Sequence, residues 1–135
     1  MTGRDTNVLV RYLAQDEPKQ AARATRLIEE ELSAAEPGFI SLVVLVELCW
    51  VLKRLYSASA EELLAAVEDL LNTPRLQLDR RDVVAAAVQF MKADQGAKAG
   101  FVDALIAQLA AAQGCSRTVS FDRVAVRSAG MVLLA

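Results

Sequence analysis

Apolar positions recur along this chain in two rhythms, short runs of two or three residues and longer stretches at helical spacing. Residues around 2–5 read as a short strand ending at Asp5, followed by a helix over Val8–Ala14 and a break at Asp16-Glu17-Pro18. Lys19–Ala34 is amphipathic, with Ala22, Leu27, Ile28, Glu31 and Leu32 marking alternate faces. Pro37-Gly38 resets the chain into a strand, Phe39-Ile40, and Ser41 is suited to cap a helix running to about Tyr56. Ser59-Ala-Glu-Glu62 has the form of a capping box and opens a helix to about Asn72, which Thr73-Pro74 ends. Leu76-Gln-Leu78 alternates as a strand, Arg80–Ala93 follows as a helix, and residues 95–100 read as a loop. Phe101–Gln113 is a helix closed by Gly114; Thr118–Ser120, a short helix after Asp122, and a strand over Met131–Leu134 complete the pattern. Strand–helix alternation of this kind predicts an α/β fold, a parallel sheet covered on both faces, in a single domain spanning residues 1–135.

One helix departs from simple amphipathicity. Between Ser41 and Tyr56, Leu42, Leu45, Leu48, Cys49, Leu52 and Leu55 make one stripe, and Val43, Glu47, Trp50, Val51 and Arg54 make a second. A helix apolar nearly all round is expected to be buried on several sides or to face another chain. Glu47 is the only charged residue between Glu36 and Lys53. Burial of an unpaired carboxylate is costly, so Glu47 is expected to have a partner, a raised pKa or a metal. Arg54 lies two turns away, too far for an unstrained pair within the helix.

Composition narrows the chemistry. With 54% hydrophobic residues in 135, the chain is long enough to bury a core and is not a disordered segment. A net charge of −2 gives no sign of indiscriminate polyanion binding, although Arg11, Lys53, Arg54, Lys92, Lys98 and Arg123 can cluster locally. The chain contains no histidine, which excludes Ser-His and Cys-His nucleophile systems and the usual zinc ligands. Cys49 and Cys115 lack metal-ligand spacing and read as buried free thiols of a reducing compartment. Without an apolar signal core or an uninterrupted spanning segment, a cytoplasmic protein with no membrane association is expected.

Chemistry therefore falls to carboxylates, hydroxyls, amides and Lys or Arg. Asp5 and Asp122 both follow short strands and share the carboxyl edge of the expected sheet, where open α/β proteins place their sites. Asp103 lies in the first turn of its helix. Each has a plain structural role available: helix caps for Asp5 and Asp122, and a favourable helix dipole for Asp103. Convergence of these three with Glu47 would make each like-charged pair within about 5 Å repel by about 3 kcal/mol at an effective dielectric of 20. Such a cluster calls for Mg²⁺ or Mn²⁺, hard cations that take carboxylate oxygens.

Four segments carry a family resemblance: Asp5-Thr-Asn-Val-Leu-Val-Arg-Tyr-Leu, Val46-Glu47-Leu-Cys-Trp-Val-Leu, Phe101-Val-Asp103-Ala-Leu-Ile-Ala and Thr118-Val-Ser-Phe-Asp122-Arg. In order and spacing they resemble a PIN-domain protein, specifically a VapC-like ribonuclease toxin of a type II toxin–antitoxin pair, over nearly the whole chain. The resemblance implies a three-layer α/β/α sandwich around a central parallel sheet of four to five short strands. It implies that Asp5, Glu47, Asp103 and Asp122 form the acidic quartet that holds Mg²⁺ or Mn²⁺, with Asp5 and Asp103 most directly tied to the metal. Thr6, Asn7 and Ser120 match polar positions beside the site that orient acids or water. The partners so implied are an RNA substrate, a cognate antitoxin and a second copy of the chain as a homodimer. Tyr12, Leu13, Trp50, Leu55 and Tyr56 are the candidate anchors for the antitoxin.

Two departures from the family pattern stand out. Met-Thr-Gly-Arg4 replaces the usual apolar strand before the first Asp, and Gly100 stands where relatives often carry an extra acid. The expected activity is metal-dependent endoribonucleolytic hydrolysis leaving a 5′-phosphate and a 3′-hydroxyl. Two alternatives compete with it. A PIN-like binding module with a weakened pocket draws support from Gly100. An aspartyl-phosphate hydrolase with Asp5 as nucleophile would usually need a second Asp two residues later, where this chain has Asn7.

Overall fold

The computed structural model describes residues 1–93 and 100–134. Apart from Gly100, the loop expected over residues 95–100 lies outside the described residues. The chain divides into two compact units, Met1–Arg81 and Asp82–Ala135.

The first unit is built on three parallel strands in the order β1-β2-β3: β1 (Thr2–Gly3), β2 (Gly38–Ile40) and β3 (Leu76–Leu78). Helices α1 (Thr6–Ala14) and α2 (Pro18–Arg26) separate the first two strands, and α3 (Leu42–Leu55) and α4 (Ala60–Leu71) separate the second pair. Parallel neighbours need such long crossovers, which is why the helices fall between the strands in sequence. The first strand has no apolar side chain of its own inside the sheet. It is held by its backbone, pairing Thr2 with Gly38 and Gly3 with Phe39, and the ladder continues as the Arg4 N–H donates to the Phe39 carbonyl at 2.9 Å. Gly38 is required there by crowding: a β-carbon would lie 2.9 Å from Leu32 Cδ1 and 3.1 Å from Arg4 Nε.

Local chemistry sets the helix limits. Pro18 stands at the start of α2, where its missing N–H costs nothing, and the Glu17 side chain accepts from the Lys19 and Gln20 N–H groups. Ser41 caps α3 by accepting from the Val44 N–H, and Ser59 and Glu62 form the complete reciprocal capping box of α4. The amphipathic stretch after Pro18 ends differently from expectation. It remains α-helical only to Arg26 and then widens into a π-turn over Leu27–Glu31 before Leu32 turns extended. Leu9, Ile28, Ile40, Leu45, Leu48, Val67 and Leu70 are almost wholly shielded from solvent. Burial of each such leucine or isoleucine stabilises the fold by about 1.5–3 kcal/mol.

The second unit carries α5 (Arg81–Ala93), α6 (Phe101–Ala112), β4 (Val119–Ser120), α7 (Arg123–Ala129) and β5 (Val132–Leu133). Strands β4 and β5 pair in parallel, Val119 with Val132 and Ser120 with Leu133. Gly114, at φ 91°, takes the left-handed position after α6, and Gly130, at φ 72°, does so after α7. A small core of Ala125, Ala129 and Met131 packs with Ala107, Val124 and Val126. Among the described residues every strand is thus parallel to its neighbours, in one three-stranded and one two-stranded sheet, and the α/β class is the one expected. Among the described residues no helix is long and apolar enough to cross a membrane.

Candidate functional site

Two of the four candidate acids belong to each unit: Asp5 and Glu47 to the first, Asp103 and Asp122 to the second. Asp5 lies immediately past the carboxyl end of β1 and occupies the N-cap of α1, yet its side chain makes no capping hydrogen bond. Its carboxylate is exposed and uncommitted. Next to it, Thr6 is 3% exposed, and its hydroxyl is buried without a hydrogen-bond partner. An unsatisfied buried hydroxyl costs about 1–3 kcal/mol, so Thr6 is expected to gain a partner when the site is in use. Asn7 is exposed beside it. Arg4, the cation that precedes Asp5, donates from Nη1 to the Gly3 carbonyl at 3.1 Å and keeps its buried Nε unpaired.

Glu47 differs from the expectation of a buried carboxylate. It is exposed, along with Val43, Trp50 and Arg54 at the same helical phase, whereas α3 buries Leu45, Leu48, Cys49 and Leu52. The first leucine stripe is the core face except at Leu55, which is exposed; the second is open to solvent apart from the half-buried Val51. An exposed carboxylate bears no desolvation cost and needs no cation within its own helix, and water or a ligand can reach it directly.

In the second unit, Asp103 is half-buried in the first turn of α6, whose N-cap is Gly100. Asp122 follows β4 and caps α7, its Oδ1 accepting from the Val124 N–H at 2.9 Å. Ser120 Oγ in turn accepts from the Asp122 N–H at 3.0 Å, which fixes the turn between the strand and the cap. The cap engages one carboxylate oxygen of Asp122 and leaves the other available. Among the described residues no three His, Cys, Asp or Glu side chains gather in a group able to hold a metal ion. In kind, the donors fit a hard divalent cation: uncommitted carboxylate oxygens beside an orphaned hydroxyl, with no nitrogen or sulfur among them.

Trp50 adds a feature that the amino-acid order only half revealed. It is 58% exposed, one turn beyond Glu47, with the Arg54 guanidinium 5.4 Å from its ring centroid. The i, i+4 spacing of Trp50 and Arg54 was the available signal. Of the other aromatic candidates, Tyr56 is tied down: its hydroxyl donates to Asp16 Oδ2 at 2.7 Å and accepts from Arg11 at 3.4 Å. That hydrogen bond is the main reason the Asp16 carboxyl is held below its ordinary range and the Tyr56 phenol above its own. Tyr12 and Leu13 line a cavity of about 670 Å³ with Thr25, Glu29, Asp69 and Leu70, and the Tyr12 hydroxyl donates to Glu29 at 3.2 Å. Cys49 is a buried free thiol as expected, but Cys115 is exposed, because it follows the end of α6 rather than facing a core.

Comparison with curated proteins finds no match. The sequence does match the PIN domain over residues 4–130, a span that contains all four acids and most of each unit. PIN domains are generally metal-dependent nucleases of α/β fold. Strand-end acids, parallel strands and a match over nearly the full length agree, and the chain belongs to the PIN-domain family.

Proposed function

We propose that this chain is a Mg²⁺- or Mn²⁺-dependent endoribonuclease, the toxin component of a type II toxin–antitoxin pair. The observation that carries the proposal is the Asp5 carboxylate, unspent on its own helix cap and set beside the unpartnered Thr6 hydroxyl. Asp5 and Asp103 would be the principal holders of the ion, with Glu47 and Asp122 completing the set. A divalent ion held there would supply an activated water and offset negative charge at the phosphoryl group. The free oxygen of Asp122, or the Glu47 carboxylate, would orient the attacking water and accept its proton. Ser120, whose oxygen already accepts a backbone N–H, keeps its own proton to donate toward an acid. The absence of histidine favours direct hydrolysis, leaving a 5′-phosphate and a 3′-hydroxyl.

The proposed antitoxin arm would enter the cavity lined by Tyr12, Leu13, Glu29 and Asp69, whose two carboxylates suit a basic side chain. A homodimer in the cytoplasm completes the proposed assembly.

Asp5→Asn or Asp103→Asn is expected to abolish EDTA-sensitive cleavage of RNA while cooperative thermal unfolding persists. Cleavage that survives chelation would rule the scheme out. A second reading, a PIN module with a weakened metal site, is favoured by Gly100, which offers no side chain at the N-cap of α6. Among the described residues nothing lies within 4 Å of where its β-carbon would stand, so Gly100→Asp is the variant that supplies an acid there. Calorimetry with Mn²⁺ separates the two: a wild-type protein that binds no Mn²⁺ while the variant does supports the weakened module.

A further inference from the structure

The exposed stripe of α3 combines, within three turns, an apolar residue, an acid, an aromatic ring and a base: Val43, Glu47, Trp50 and Arg54. Trp50 is the only tryptophan in the chain, and Lys53 and Arg54 flank it at i+3 and i+4, both exposed. Two other cations of this unit are held in ion pairs, Arg11 with Asp16 at 3.4 Å and Arg23 with Glu31. Among the described residues neither Lys53 nor Arg54 has a carboxylate partner. Instead, Arg54 sits 5.4 Å from the Trp50 ring centroid, a cation–π arrangement that orients the ring and leaves the residue 58% exposed. Trp50 lies about 4.5 Å along the helix axis from Glu47.

We propose that Trp50 is a stacking platform for an unpaired base of the RNA, with Lys53 and Arg54 contacting the adjoining phosphates. The inference rests on the nuclease function proposed above, of which it names a substrate-positioning element. Charge complementarity selects the occupant. An aromatic ring beside two cations without carboxylate partners matches single-stranded nucleic acid, which offers a π-face and a phosphate at every step. The stripe is not a continuous apolar face, since Glu47 and Arg54 interrupt it. Stacking demands an unpaired base, so the substrate class is single-stranded or looped RNA, not duplex.

The test uses a short oligouridylate in EDTA, so that binding is read without cleavage. Quenching of Trp50 emission by the oligomer, and none by a duplex, is expected. Trp50→Ala should weaken binding of the labelled oligomer about 5- to 150-fold, with Trp50→Phe restoring most of it. Lys53→Gln and Arg54→Gln should each lower the slope of log affinity against log salt by about 0.7. An oligomer that binds wild type and Trp50→Ala equally well, with emission unchanged, overturns the platform and leaves the nuclease assignment standing. So does a concentration-dependent blue shift of Trp50 without RNA, lost together with dimerisation in Trp50→Ala, since that assigns the face to protein contact. Absence of both oligomer binding and Mn²⁺-dependent cleavage defeats the nuclease function itself, and the platform with it. Because Trp50 is largely exposed, the alanine variant should melt with wild type, and circular dichroism checks this.

Discussion

An Asn caps a helix as well as an Asp does but carries no charge, and the N-cap aspartates Asp5 and Asp122 divide on that difference. Asp122 spends an oxygen on the Val124 N–H, so Asp122→Ala should destabilise the protein by about 0.5–2 kcal/mol in denaturant titrations. Asp122→Asn should keep that stability and lose only activity. Asp5 makes no such bond, so removing its charge leaves the cap intact. Thr6 and Glu47 show what single residues conceal in sequence. That Thr6 is buried without a partner depends on packing around the first turn of α1, and nothing in Asp-Thr-Asn announces it. Glu47 looks buried because its neighbours are apolar, yet helical phase, not neighbourhood, decides exposure: it shares the phase of Val43 and Trp50. Cys49 lies on the opposite, core side, and burial there pushes its thiol up to about 11 from an ordinary 9.0. A raised value in the folded state stabilises the fold below pH 9 and is lost as pH climbs toward 11. Denaturant midpoints should fall across that window, and Cys49→Ala should flatten the fall at some cost in overall stability.

Helices were legible nearly to the residue wherever capping chemistry marks them: Pro18, Ser41, the Ser59–Glu62 box and Gly114 each stand where an element begins or ends. The first strand was only half legible, since Met-Thr-Gly-Arg has no apolar alternation. Its existence depends on β2 offering a ladder, which is tertiary information. Likewise the π-turn at Leu27–Glu31 adds a residue per turn without altering the apolar pattern that predicted a continuous helix. Gly38 concentrates this dependence. Placed between Leu32 and Arg4, a methyl group must displace both side chains, so Gly38→Ala should cost about 1–3 kcal/mol and loosen the join between β1 and β2. Because Asp5 follows β1 directly, that variant should also lose more cleavage than its stability loss explains. Comparing its activity well below its melting temperature with that of an equally destabilised core variant checks this.

At the scale of the whole molecule, family and class were open to sequence reasoning because four short segments around the acids, spread over most of the chain, carry the resemblance in their order. How the chain divides was not: no linker composition marks the boundary near Arg81, where the contacts of the chain separate into two sets. The exposure of the two cysteines carries a practical consequence. Cys115 is open to solvent in the second unit while Cys49 is closed in the first, so a thiol reagent should label one site in the native protein and two after denaturation. The sole tryptophan, meanwhile, stands on the surface of the first unit. An acceptor dye on Cys115 turns the pair into a built-in spectroscopic ruler, an emitter in one half and a receiver in the other. Energy transfer between them can then follow the two halves as Mn²⁺ is added, with no residue replaced.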